Sequence, residues 1–230
     1  MIRRTVLATA AALLFTASVA LAEEKETKLS TMPTAAEAKI VASIQKQLPK
    51  LYATTAMAEK AGYTRYGNED NTGAISYASD KPWESTDVKV PAQLWYDVKG
   101  RLVGADYAAL KATHPKAPSI LGLDERRDGT FTAHVHYVTK SADGTMKYEQ
   151  AVGVKKYDAA NGPGSSEKPT AEGLVKAEAK NVKTASDVAY VFLFPAVWNV
   201  SVWVVPNPKG AFAEKNPNVK PSENAEKDGE

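Results

Sequence analysis

The sequence predicts an α+β domain with a largely antiparallel, strongly twisted or barrel-like sheet, preceded by an N-terminal amphipathic helical arm. Three observations lead there. Apolar residues recur at helical intervals early in the chain, and period-two alternation dominates the segments that follow. The chain also contains no cysteine, so its stability must come from core burial, for which about 200 residues are ample.

The first residues read "MIRRTVLATAAALLFTASVALAEE". Arg3 and Arg4 form a basic start, an apolar run follows to Val19, and Ala20-Leu21-Ala22 is a small-x-small cleavage site. Residues 1–22 are therefore expected to be a signal peptide, with the remainder exported to the periplasm or the medium. Without Arg3 and Arg4, 27 basic residues face 27 acidic ones. A near-neutral chain with short single-sign runs lacks the basic stripe of a nucleic-acid binder or a polybasic membrane patch. The most apolar later stretch, "VAYVFLFPAVWNVSVWVV", is interrupted by Pro195, Asn199 and Ser201, so stable membrane insertion is not expected. The lack of cysteine also removes thiol catalysis, CxxC redox chemistry and thiolate metal sites.

The helical arm begins at Thr34, which has capping-box spacing to Glu37. Ile40, Val41, Ile44, Leu48, Leu51 and Tyr52 share one face, Pro49 should kink or split the element, and Gly62 suits the position just past its end. Strands follow at "AISYA" and across "AQLWYDVKGRLVGADY", where a turn near Lys99-Gly100 reverses the chain into Val103, Ala105 and Tyr107. A long connection, "HPKAPSILGLDERRDG", precedes strands at 130–139 and 145–154. A Gly/Pro/Ser-rich loop then leads to a helix at 170–183, and the last strands lie in 188–205. Residues 23–205 are thus expected to form one α+β domain. Residues 206–230 form a polar extension, partly disordered, because it cannot bury enough apolar surface alone.

Two of the three histidines stand in "FTAHVHYV". Alternation places Phe131, Ala133, Val135 and Tyr137 on one strand face and Thr130, Thr132, His134 and His136 on the other. Two hairpin registers keep apolar residues opposite apolar ones. A four-residue "SADG" loop sets His136 opposite Glu149, whereas a two-residue "DG" turn sets it opposite Ala151. Either register puts His134, His136 and Glu149 on one face, a ligand set for a divalent first-row metal and the basis of a metal-assisted enzyme. The cupin metal motif is not matched, since Lys140 and Ser141 stand where a glutamate should follow His136. A half-polar antiparallel face with one His–Glu pair explains the same residues without metal.

No GxSxG, HExxH, P-loop or GxGxxG occurs. His114 reads as a turn histidine, "YGNEDNTG" lacks the ligand spacing of a calcium loop, and the sequon Asn199-Val200-Ser201 falls in a predicted strand. The aromatic residues point further. Trp83, Trp95, Trp198 and Trp203 cluster with Tyr63, Tyr66, Tyr77 and Tyr96 around the strands. Trp95 and Trp203 lie on the polar side of their alternations, so the second side of the sheet must also be covered, by helix, subunit or ligand. The apolar C-terminal strand region is expected at a homo-oligomeric interface with Trp203 or Phe212 among its contacts.

The stretches "LYATTAMAEKAGYTRYGNEDNTGAISY", "PAQLWYDVKGRLVGADY", "HVHYV" and "VWVVPNPKGAFAEKNPNV" together resemble a set of small, uncharacterised secreted bacterial proteins with a similar ending of aromatic strand and Asn-Pro motifs. The resemblance implies a single exported domain and carries no activity, cofactor or site residue. The function expected is a non-enzymatic binding or assembly protein of the bacterial envelope, its ligand unspecified, with the metal-assisted enzyme as the alternative.

Overall fold

A computed structural model describes residues 29–79 and 83–226, so the expected signal peptide lies outside the described residues. The fold is α+β, with two antiparallel sheets that are twisted and not closed into a barrel. The larger has the order β1 (Tyr63–Glu69), β2 (Ile75–Ser79), β3 (Gln93–Tyr96), β4 (Leu102–Leu110), β9 (Val197–Trp203), β5 (Gly129–Phe131). The smaller has β6 (His134–Lys140) at its centre, between β7 (Met146–Gly153) and β8 (Val188–Phe194).

The helical arm is α1 (Ala35–Tyr52), and its capping box forms as the spacing of Thr34 and Glu37 predicts. The helix passes through Pro49 and ends at Tyr52, and α2 (Thr55–Lys60) restarts under a cap from the Thr54 side chain. Its Val41, Ile44, Leu48 and Tyr52 pack on Leu94, Tyr96, Ala105, Tyr107, Val200 and Val202, which forms the main core. A bulge between β3 and β4 moves Leu102 to this side and turns Val103 to the opposite face.

The expected strand at 130–139 is two strands in different sheets. Phe131 of β5 pairs with Val197 of β9, and His134 of β6 pairs with Phe194 of β8, so one ladder keeps its register through a bend. Thr132 and Ala133 make the bend on one side, and Pro195 and Ala196 on the other. Proline lacks the N–H that an uninterrupted ladder requires, and strands that bend from one sheet into another form the corners of packed sheets. The outer face of the small sheet, with Val135, Tyr137 and Val152, packs against α3 (Val154–Asn161) and α4 (Ala171–Lys176). Val154, placed in a strand by its alternation, opens α3, and the helix predicted over 170–183 is confined to α4.

The second face of the large sheet is covered as Trp95 and Trp203 require, although not by helices. The corner of the small sheet covers one half, with Phe194 and Phe192 against Ala92, Ala108 and Val197. The C-terminal segment covers the other, where Val219 packs with Ala74, Val103 and Trp203. Residues 206–226, expected as a partly disordered extension, thus bury Ala211, Asn216 and Val219. The segment has little apolar surface of its own, but the sheet supplies the partner.

Candidate functional site

The His134–His136–Glu149 constellation lies on two paired strands, β6 and β7. Residues 141–145, with Gly144 at φ +86° donating to Ser141 O, join β6 to β7, and a bulge opposite Val138 then restores the pairing of His136 with Ala151. His134 faces Gly153, and the side chain of Glu149 lies outside what the structure describes. The faces divide as predicted for Val135 and Tyr137, but Phe131, in the other sheet, is exposed. The histidine face is itself covered. His136 is 4% exposed, its Nε2–H donating to the carbonyl of Tyr66 at 3.1 Å, with Phe192 beside it. Burial holds its pKa down to about 4, so the ring is a neutral, fixed spacer at neutral pH. His134 Nδ1–H donates to Thr132 O at 3.0 Å, and its ring stacks on Phe194. Among the described residues no three His, Asp or Glu side chains converge on a metal position.

The other sequence candidates have structural partners. His114 Nε2 meets Glu84 at 3.1 Å, and Glu84 also accepts from the Thr113 hydroxyl and the Leu110 amide. Asp70 closes its own turn by accepting from Thr72 and Ala74. Trp203 is 2% exposed, packed against Trp95, with its indole N–H donating to Ala213 O. Trp203, expected at a subunit interface, is therefore packed inside its own chain. Phe212 is half-buried beneath the Arg127 guanidinium.

Where the small sheet folds over β1 and β2, a cleft of about 540 Å³ opens between Gly62, Thr64, Ala78 and Ser79 on one side and Tyr190, Phe192 and Leu193 of β8 on the other. Trp83 forms its end and leans on Phe194 at 4.6 Å. The register explains the wall: β8 sets Phe192 and Phe194 opposite His136 and His134, and Tyr190 opposite Val138. A continuous aromatic row results. Tyr190 and Phe192 lie nearly parallel, 20° apart, and Phe192 meets Tyr66 edge-on.

The hydroxyls distinguish this cleft. Tyr52, Tyr63, Tyr96, Tyr107, Tyr137 and Tyr157 each donate to a backbone carbonyl. The Tyr190 hydroxyl is buried and has no hydrogen-bond partner among the described residues. Burial raises its pKa, so it is a neutral phenol with a proton to donate. A buried unsatisfied donor costs about 1–3 kcal/mol. No charged side chain lines the cleft among the described residues. Trp83 belongs to the aromatic cluster legible in the sequence, and Tyr190 and Phe192 to the strands expected over 188–205. The sequence does not join them, because the cleft draws on three distant segments.

Comparison with family models, with curated proteins and with solved structures gives no match to this chain.

Proposed function

We propose that the protein is an exported, non-enzymatic binding protein of the bacterial envelope, and that its ligand is a small, uncharged, planar molecule with an oxygen acceptor. The Trp83–Tyr190–Phe192 cleft would hold the apolar body, and the Tyr190 hydroxyl would donate to the acceptor. The observation that carries the reading is that hydroxyl, buried without a partner among the described residues on the wall of an aromatic cleft. A mostly apolar pocket with few fixed polar groups is the usual form of a small-molecule site. A carboxylate or ammonium would leave water here without a counter-charge among the described lining residues, which is costly. Ketone, ester or aryl ether oxygens fit instead.

The test uses the neutral naphthyl ketone 6-propionyl-2-dimethylaminonaphthalene, whose emission shifts to the blue in apolar surroundings. Saturable binding with a blue shift is expected, as is its loss in Thr64→Arg, which fills the cleft from an exposed strand position. Absence of saturable binding, or equal affinity in Thr64→Arg, would refute the reading.

A further inference from the structure

A second cleft lies across the large sheet, far in sequence from the first. It has a volume of about 310 Å³ and is lined by residues 29–31, Arg126, Arg127, Gly129, Asn199, Ser201 and Phe212. On its wall is Asn199, 6% exposed, whose Oδ1 is buried and has no partner among the described residues. The orientation of the amide follows from its other end, since Nδ2 donates at 3.4 Å both to Asp106 Oδ1 and to Ser201 Oγ. Ser201 in turn donates to Asp106 Oδ1 at 2.6 Å, and Trp95 Nε1 donates to Asp106 Oδ2 at 2.9 Å. The carboxylate thus holds three donors, and Asn199 Oδ1 points away from it.

Gly129 keeps that oxygen clear. A Cβ at this position would stand 2.8 Å from Asn199 Oδ1. The backbone there is an ordinary strand conformation that any residue adopts, so the glycine is not required by its dihedral angles. Glycine inside a strand often marks a place where another group approaches closely. Here the space it leaves adjoins the unsatisfied acceptor.

The remaining wall is mixed in character. Arg127 is committed to Glu37 and to the carbonyls of Ser30 and Met32. Arg126 gives Nε and Nη2 to Asp124, which leaves Nη1 as a donor on the rim. Phe212 adds an apolar edge. A cationic ligand would meet two guanidiniums, and an anionic one would meet the Asn199 oxygen with Asp106 behind it. An uncharged molecule with both donors and acceptors meets neither penalty. We infer that this cleft binds an uncharged polyhydroxyl compound of monosaccharide size, one hydroxyl donating to Asn199 Oδ1 and another accepting from Arg126.

Titration of the isotope-labelled protein with D-glucose, D-galactose, N-acetyl-D-glucosamine and glycerol, followed by NMR, tests the inference. At least one probe should shift the Asn199 side-chain amide and the Gly129 backbone amide saturably, while signals of Tyr190 and Phe192 stay in place. Gly129→Ala should weaken that binding about tenfold or more, equivalent to 1.4 kcal/mol. Arg126→Met, at an exposed position, should weaken it as well and serves where Gly129→Ala fails to fold. No saturable shift with any of the four probes, or unchanged affinity in the variant that folds, would overturn the assignment.

Discussion

Glu37 of α1 and Arg127, ninety residues later, form a bidentate ion pair in which both side chains are 4% exposed, with Nε–Oε1 at 2.5 Å and Nη2–Oε2 at 2.7 Å. The pair ties the helical arm to the long connection before β5. The Arg127 hydrogen bonds hold the Glu37 pKa down to about 2 from 4.5. Removing one member leaves the other buried and uncompensated, so Arg127→Met should cost about 3–5 kcal/mol in urea unfolding. Because the folded-state pKa is depressed, the contribution of the pair is complete above about pH 4.5 and is lost as pH falls toward 2.

Asp106 behaves in the opposite sense. Burial raises its pKa to about 6 from 3.8, against the three donors that favour the anion. The folded state therefore holds a proton that the unfolded state has released, and stability from this residue declines as pH rises from about 4 to 6. Asp106→Asn does not titrate. The difference in unfolding free energy between the wild type and this variant should move by about 2–3 kcal/mol over that window, in favour of the wild type at the acid end, and be flat above it.

His136 should stay neutral while folded. Its pKa, lowered by burial to about 4, lies below the unfolded value of 6.5, so the unfolded state takes up its proton first. Stability contributed by the neutral ring is present above about pH 6.5 and is lost as pH falls toward 4. In an NMR titration the His136 ring signals should remain constant from pH 8 to 5; a midpoint near 6.5 would contradict the burial described above.

Truncation after Val205 tests the role of the C-terminal segment. Removing residues 206–230 uncovers Trp203 and Val103 and removes Ser222, which donates to Glu69. Loss of cooperative unfolding and new binding of a hydrophobic dye are expected. A solvated extension would come away with no change in stability.

What could be read from the sequence is what depends on near neighbours. The Thr34–Glu37 box, the Asp97–Gly100 turn and the alternation of Val135 and Tyr137 are local, and all three form. The strand β1 escaped notice because "YTRYGNE" does not alternate between apolar and polar residues. The break at Thr132-Ala133 left no trace in the pattern, since the ladder keeps its register through the bend. The histidines followed their alternation, but the cover over their face comes from Tyr66 and Phe192, residues 70 and 56 positions from His136. Both candidate clefts are likewise made by packing between distant segments, and no short motif records them.

The measurement that bears most directly on the proposed ligand cleft is a paired one on Tyr190→Phe. In the free protein the hydroxyl has no partner among the described residues, so deleting it should leave stability unchanged or raise it by about 1 kcal/mol in urea unfolding. In the complex it should donate to the ketone of 6-propionyl-2-dimethylaminonaphthalene, so the same deletion should weaken binding about five- to tenfold, the worth of one ordinary hydrogen bond. Equal or higher stability together with weaker binding is the expected result. A clear loss of stability with affinity unchanged would show that the hydroxyl serves the fold, and would contradict its assignment to a ligand.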